Sequence, residues 1–249
     1  SKIMQLVTVI MPYYKKINYV DNAINSIVQQ TYKNYELLII YDDPSRDDLS
    51  KIEKIISNND KIKIINNNEN LGAGFSRNIG IKNAKGEVIS FIDADDEWSK
   101  DKLEKQINFL NRFNYDFIFC GYKKSFNNKI KNIIYKYDFI DHKKLIYSCD
   151  IGLSTVMIKK KIIENDLFPN LKTQEDYAAW LKITKNNHKA YNLKEILVTW
   201  NQSENSLSSN FFQKFADGFS VYKIYLNFSI IKSLYHLLIL SINSLKRKF

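Results

Sequence analysis

The sequence predicts an α/β protein with a mostly parallel sheet flanked by helices and a helical extension at the C-terminus. In the first half of the chain, continuous apolar runs alternate with amphipathic stretches, and hydrophobic residues make up 45% of all 249 residues. Strands that are apolar throughout and alternate with helices are typical of parallel sheets covered on both faces. The length suits one such domain with an appendage, or two small domains.

The first half supplies most of the predicted elements. Continuous apolar runs predict strands at residues 6–14, 35–43, 61–67, 87–93 and 116–122. Apolar residues at helical spacing predict helices within residues 19–30, 45–56, 74–86 and 99–110. Gly86 is expected to close the third of these helices and Ser99 to cap the fourth.

The second half is less regular. Residues 152–158 predict a further apolar strand, and residues 173–187 predict a helix with Tyr177 and Trp180 at core spacing. Residues 123–150 contain candidate edge strands and a short helix. A long stretch of apolar and basic residues, from about 211 to 249, closes the chain.

The charge balance limits the classes of function. The formal net charge is +10, from 37 basic and 27 acidic residues. A surface this rich in lysine would suit nucleic acid, anionic lipid or a phosphorylated small molecule, and it would equally suit plain solvation. Cys120 and Cys149 lack metal-ligand spacing and the three histidines are widely separated, which argues against zinc. The N-terminus carries no signal peptide, so we expect a cytoplasmic protein.

Acidic side chains follow two of the predicted strands. Asp42 and Asp43 end the second strand, and Asp93, Asp95 and Asp96 follow the fourth. In a parallel sheet both clusters would lie at the same edge, where ligands bind. Carboxylates this close repel one another, so they predict a hard divalent cation, Mg²⁺ or Mn²⁺, of the kind that holds a diphosphate. The alternative is that these acids cap the helices that follow them.

These motifs resemble those of family 2 glycosyltransferases. The stretches are "VTVIMPYY", "SIVQQTYKNYELLIIYDD", "NLGAGFSRNIGIKNAKGEVISFIDADDEW" and "QEDYAAWLKI", in that order along the chain. The resemblance runs from about residue 6 to about residue 208. It implies the GT-A fold, a Rossmann-like, mostly parallel sheet, and transfer of a sugar from a nucleotide-sugar donor with inversion at the anomeric carbon.

The resemblance also implies roles for individual positions. The donor and its metal would be bound by Pro12, Tyr14, Asp43, Arg77, Asp93, Ala94 and Asp95. Among these, Asp95 and Asp93 would bind Mn²⁺ or Mg²⁺. A carboxylate such as Asp43 can accept the N3–H of uracil, which favours a UDP-sugar. Asp176 matches the general base that would deprotonate the acceptor hydroxyl.

The implied organisation is a catalytic domain over residues 1–208 and a helical tail over residues 209–249. Residues 1–98 would form the nucleotide-binding half and residues 99–208 the acceptor half. The product would be a growing bacterial surface glycan such as lipooligosaccharide, capsule or O-antigen, and the donor sugar a hexose or N-acetylhexosamine.

The sequence departs from the family pattern in two places. Family members often have Y-R-x-H before S-x-S, whereas "WNQSENSLS" (200–208) has Asn201 and Ser203 in place of the arginine and the histidine, so no histidine is available there as a second metal ligand. The usual "DDGS" is replaced by "DDPS" (42–45), in which proline stiffens the turn.

The sequence also argues against two other functions. A sugar-1-phosphate nucleotidyltransferase would need a glycine-rich phosphate loop after the first strand, where residues 11–18 read "MPYYKKIN". A nucleic-acid-binding module would need basic and aromatic residues at one site, whereas acids crowd the predicted site.

The tail leaves two alternatives open. Polar residues recur every three to four positions within residues 228–249, and the apolar stretch is shorter than the roughly 20 residues that cross a bilayer. The tail would therefore form either a helix on the membrane surface or a helix packed on the catalytic domain or on a second copy.

Overall fold

The computed structural model describes residues 5–126, 129–201 and 211–248. The strands are β1 (Val7–Tyr13), β2 (Tyr35–Tyr41), β3 (Ile62–Asn66), β4 (Val88–Phe91), β5 (Glu97–Trp98), β6 (Phe117–Phe126), β7 (Lys129–Ile133), β8 (Phe139–Ile140), β9 (Met157–Lys159) and β10 (Ala190–Asn201). The helices are α1 (Ile17–Val28), α2 (Leu49–Ile55), α3 (Ala73–Asn83), α4 (Lys102–Arg112), α5 (His142–Leu145), α6 (Glu175–Lys185), α7 (Phe211–Ser220) and α8 (Ile230–Lys248). A π-helical turn, Val221–Tyr225, follows α7.

The strands form one mixed sheet in the order β3-β2-β1-β4-β9-β6-β10-β5, with β7 beside β6 and β8 beside β10. The first four strands in this order are parallel. The short strand β9 is antiparallel to both β4 and β6, while β6 and β10 are parallel. The predicted parallel sheet is therefore confirmed for the first half of the chain, and the second half adds antiparallel strands.

The sheet brings the two acidic clusters to one edge. Strand β1 lies between β2 and β4 and pairs with both in parallel, so the carboxyl ends of all three strands point the same way. Asp42 and Asp43 follow β2, and Asp93 follows β4. The prediction that these acids share an edge is confirmed.

Helix α3 packs very closely on β1. Gly80 lies against Ile10, and a Cβ at this position would overlap the Ile10 side chain. The neighbouring Asn78 fixes the other side of the helix, since its side chain donates to the Phe168 carbonyl at 2.8 Å and accepts from the Phe168 amide at 2.9 Å. This packing orients the side chains of α3 that face the edge of the sheet.

Two predicted helix boundaries are wrong. Helix α3 ends at Asn83 rather than at Gly86. Gly86 instead lies against β1, where a Cβ would come within 2.6 Å of the Thr8 nitrogen. Helix α4 begins after Asp101, and the Ser99 hydroxyl donates to the Leu197 carbonyl at 3.1 Å rather than capping the helix.

The strand predicted at residues 152–158 is only partly present. Leu153–Thr155 form a 3-10 turn, and the strand is restricted to Met157–Lys159. The turn is closed locally, because the Thr155 hydroxyl donates to the Gly152 carbonyl at 2.6 Å. This local bond competes with the strand ladder, as threonine side chains often do.

The C-terminal helices pack on the rest of the chain. His236, Leu237 and Leu240 of α8 are buried. Tyr222 of the π-helical turn donates to the Ile146 carbonyl at 2.8 Å and lies 3.0 Å from the Tyr177 hydroxyl. One face of the tail is thus part of the core. Among the described residues, no helix combines the length and the apolar composition needed to cross a membrane.

Candidate active site

Asp42 organises the loop that leads into α3. Its buried carboxylate accepts from Asn67 Nδ2 at 2.7 Å and from the amides of Leu71 and Gly72 at 2.9 and 2.8 Å. With both oxygens engaged, Asp42 has a structural role in the loop. It was expected to contribute to the acidic site itself, so this part of the sequence interpretation is corrected.

Asp43 is also buried but keeps one oxygen available. Its Oδ1 accepts from the Ser45 amide at 3.1 Å, whereas the buried Oδ2 has no hydrogen-bond partner among the described residues. Tyr14 follows the adjacent strand and is exposed, with Lys15 Nζ 5.3 Å from its ring centre; Pro12 lies on that strand opposite Ile40. A buried acceptor beside an exposed ring suits a planar base that carries an N–H group.

Arg77 of α3 joins the strand-end acids to α6. Its Nη2 lies 2.8 Å from Asp93 Oδ1, and its Nη1 lies 2.6 Å from Glu175 Oε1. The guanidinium is buried, which by itself would lower its pKa, but the charges of Asp93 and Glu175 outweigh burial and raise it. Arg77 therefore bridges two motifs, at Asp93 and Glu175, that lie about eighty positions apart in the sequence.

Asp93 and Asp95 follow β4, with the buried Ala94 between them. The Asp93 side chain is 38% exposed and that of Asp95 is 17% exposed. Burial, and next the charge of Asp93, raise the pKa of Asp95, and Lys16 Nζ offsets part of this at 2.7 Å from Asp95 Oδ2.

These two acids fit a hard divalent cation. Two carboxylates that repel each other at a water-accessible strand end are suitable oxygen ligands for Mg²⁺ or Mn²⁺, with donor phosphates and water completing the shell. No cluster of three or more histidine, cysteine or acidic side chains is arranged for a metal within the described residues. Of the residues that the structure describes, Asp93 and Asp95 are therefore the proposed ligands, and donor phosphates and water would supplement them.

Asp96 and Asn201 shape the loop rather than the metal site. Asp96 is buried and accepts from the Ser154 hydroxyl at 2.6 Å, and burial raises its pKa well above the ordinary value. Asn201 Nδ2 donates to the Asp95 carbonyl at 2.9 Å. Ser203, the other residue singled out in this stretch, lies outside the described residues.

Asp176 lies beside the ion pairs of Arg77 without sharing them directly. The half-buried carboxyl accepts a hydrogen bond from the Tyr177 amide at 2.7 Å. Burial, and next the charge of Glu175, raise the pKa of Asp176 to about 7. A carboxyl with this pKa can accept a proton near neutral pH, which is what a general base requires.

Sequence reasoning missed two residues of this site. Lys16 holds Asp95, and Ser154 accepts a hydrogen bond from the Asp93 amide at 3.2 Å while donating to Asp96. The pair of lysines directly after Tyr14 was a usable signal for the first. Ser154 lay inside a predicted strand and gave no signal.

Comparison with known proteins agrees with this geometry. The model of "Glycosyl transferase family 2" matches residues 8–168. The UDP-Glc:alpha-D-GlcNAc-diphosphoundecaprenol beta-1,3-glucosyltransferase WfgD of Escherichia coli is 35% identical over 210 residues, which cover 84% of this chain and 82% of that protein.

Two solved structures show the same fold. S. aureus TarS 1–349 in complex with UDP-GlcNAc has a TM-score of 0.76 at 22% identity, covering 94% of this chain and 70% of that one. The mannosyltransferase PcManGT from Pyrobaculum calidifontis, in complex with GDP-Man and Mn²⁺, has a TM-score of 0.70 at 15% identity, covering 95% and 70%. The expected GT-A fold is confirmed, and the family model together with the relative shows that the chain belongs to glycosyl transferase family 2.

Proposed function

We propose that this glycosyltransferase moves a hexosyl or N-acetylhexosaminyl group, with inversion, from a UDP-sugar to a hydroxyl of a growing, lipid-linked bacterial surface glycan. The carrying observation is the double ion pair of Arg77, which brings Asp93 and the start of α6 together. The similarity to WfgD, whose name specifies UDP-Glc, and to TarS, solved in complex with UDP-GlcNAc, supports the donor class. WfgD is named for an acceptor linked to diphosphoundecaprenol, which supports sugar transfer to a lipid-linked acceptor at the inner face of the cytoplasmic membrane.

On the donor side, the unpartnered oxygen of Asp43 would accept the N3–H of uracil and Tyr14 would stack on the base. Asp95 and Asp93 would hold Mn²⁺ or Mg²⁺ together with the diphosphate. When bound, the ion neutralises charge that develops on the departing diphosphate. Arg77 holds the Asp93 carboxylate in place, because the guanidinium is buried and contacts that carboxylate directly.

On the acceptor side, Asp176 would take the proton from the attacking hydroxyl. The neighbouring Glu175 is occupied by Arg77 at 2.6 Å, so its charge is partly neutralised. Burial raises the pKa of Asp176 to about 7, which gives its carboxylate the proton affinity that a general base needs. Attack from the face opposite the diphosphate would invert the anomeric carbon.

The proposal is tested by thermal unfolding with a panel of nucleotide sugars, each with and without Mn²⁺. The correct UDP-sugar should stabilise the fold by about 2.7 kcal/mol at a hundredfold excess over its Kd. GDP- and ADP-sugars should have a much smaller effect. Asp95→Ala should remove the Mn²⁺-dependent part of the stabilisation, while Asp47→Ala, a change at an exposed acid after β2, should retain it. Stabilisation of Asp95→Ala equal to that of the wild type would contradict the metal assignment.

A further inference from the structure

Helix α8 presents its polar stripe to the protein. Ser233 and His236 are buried with Leu237 and Leu240. Their polar atoms are satisfied within the helix, since the Ser233 hydroxyl donates to the Ser229 carbonyl at 2.8 Å and His236 Nδ1 lies 2.9 Å from the Lys232 carbonyl. These local bonds allow polar side chains to pack against the core.

The opposite face of α8 is apolar and exposed. Its members lie within an arc of roughly 100° at the helical repeat and are Ile231, Leu234, Tyr235, Leu238, Ile242 and Leu245. We call these six side chains the α8 stripe. The exposed fraction reaches 82% at Ile231 and 60% at Leu238. A helix on a globular protein normally has the reverse arrangement, whereas here the apolar face is left exposed by the residues that the structure describes.

The preceding segment adds exposed apolar side chains. Phe212 and Phe215 of α7 are exposed, as are Ile224 and Tyr225 of the π-helical turn. Aromatic rings with exposed edges and tyrosine hydroxyls are the side chains that settle at the boundary between lipid headgroups and acyl chains.

The charge of this segment selects the occupant. Residues 211–249 contain six basic residues, which are Lys214, Lys223, Lys232, Lys246, Arg247 and Lys248. The only acid in the same segment is Asp217, which is buried and accepts from the Thr173 amide and hydroxyl, both at 2.8 Å. A symmetric contact with a second copy would bring two such basic segments together. An anionic lipid surface attracts them instead.

We propose that the α8 stripe docks on an anionic phospholipid membrane, with α8 lying in the plane of the interface. Each apolar side chain that leaves water for the lipid interface favours binding, so insertion of a few of the six suffices for reversible binding in combination with the basic residues. This docking rests on the proposed function, in which the acceptor is linked to a lipid, and it adds how the enzyme would reach that acceptor.

The docking surface connects directly to the proposed base. Asp217 of α7 holds Thr173, and Gln174 Nε2 donates to the Lys214 carbonyl at 3.2 Å. Glu175 and Asp176 follow at once in the chain. Membrane-bound C-terminal helices would thus anchor the turn from which the base projects, on the acceptor side of the site.

The test is co-sedimentation of the full chain with vesicles. The wild type should bind vesicles that contain phosphatidylglycerol and phosphatidylcholine, should bind pure phosphatidylcholine much less, and should release at high salt. The double variant Ile231→Glu/Leu238→Glu should bind at least about tenfold more weakly, because two insertions are lost. The matched control is Ile130→Glu on β7, a side chain that is 67% exposed on another surface and should leave binding unchanged.

Three results would overturn the inference. The wild type could fail to bind the anionic vesicles, or the double variant could bind as well as the wild type. Light scattering could instead show a dimer that the double variant dissociates, which would make a second copy the occupant. Stabilisation by UDP-sugar and Mn²⁺ is recorded on the same samples. If UDP-sugar and Mn²⁺ stabilise the protein but the vesicles are not bound, only the docking inference fails. If the vesicles are bound but UDP-sugar and Mn²⁺ do not stabilise the protein, the proposed function fails.

Discussion

Asp176 and Glu175 are adjacent acids with different environments. Glu175 forms an ion pair with the buried guanidinium of Arg77. The Asp176 carboxyl accepts a hydrogen bond from the Tyr177 amide, and burial raises its pKa to about 7. A base must be deprotonated to act, so kcat/KM should rise as the pH increases through about 7. Asp176→Asn should remove this limb of the pH profile and lower turnover by about 10²–10⁴.

Donor binding provides the control for this variant. Calorimetric affinity for UDP and Mn²⁺ should change little in Asp176→Asn, because the carboxyl is not proposed to touch either ligand. Weakened UDP binding with near-normal turnover at saturating donor would place Asp176 on the donor side. Glu175 would then be the acid to test as the base.

Lys16 is an ion-pair partner of Asp95, a proposed metal ligand. Its Nζ lies 2.7 Å from Asp95 Oδ2, with both side chains partly exposed. Replacing Lys16 by Met removes this competing cation, so Mn²⁺ should bind up to about fivefold more tightly, which corresponds to about 1 kcal/mol. Titration of free Mn²⁺ by paramagnetic resonance, without donor, measures the effect.

The adjacent lysine supplies the matched comparison. Lys15 contacts the Tyr14 ring, so Lys15→Met should leave Mn²⁺ affinity unchanged. Equal or weaker Mn²⁺ binding by Lys16→Met would show that the lysine helps to hold the loop in its metal-binding conformation.

Sequence reasoning at this scale located the acids but not their partners. The order of strands and the residue types placed Asp43 and Asp93 at one edge. The partner of a long flexible side chain depends on local backbone conformation, and Lys15 has a φ of 50° in the left-handed region. That turn directs the chain after β1 and is invisible in the pattern of apolar residues.

At the scale of elements, the contact between α3 and β1 sets the height of Arg77 above the sheet. A Cβ at Gly80 would overlap Ile10, so Gly80→Ala should destabilise the protein by about 1–3 kcal/mol. Urea unfolding measures this loss. Ile10→Ala, combined with Gly80→Ala, should show a favourable coupling, because the shortened side chain leaves room for the new methyl group. Strict additivity of the two changes would contradict the close packing.

Helices with a strong apolar stripe were predicted well, and their ends were not. Gly86 was interpreted as a helix stop because glycine is common there. Its actual role is close approach to β1 near Thr8, a contact between residues 78 positions apart. Such long-range contacts leave no periodic signal. The turn at Leu153–Thr155 was misread for a related reason, since local hydrogen bonding replaced the strand ladder.

At the scale of the whole molecule, the buried face of α8 is part of the core. Leu237 and Leu240 are buried in the cluster that contains Tyr177 and Tyr222. A chain truncated after Ser229 should therefore lose at least about 3 kcal/mol of stability, from these two leucines alone. Thermal unfolding followed by circular dichroism measures the change. The control is the full chain with Ile231→Glu/Leu238→Glu, which should unfold as the wild type does, since both side chains are exposed. If the truncated chain is as stable as the wild type, α8 folds independently of the core.

The geometry of a guanidinium group is fixed by covalent bonds, and this has a consequence for the whole site. Because Arg77 contacts Asp93 with one nitrogen and Glu175 with the other, the span between the strand end and α6 is set by a rigid plane. Widening it requires breaking one of the two ion pairs of a buried guanidinium. The span across which the proposed sugar donor would bind is therefore fixed by this contact before any ligand arrives, a form of preorganisation.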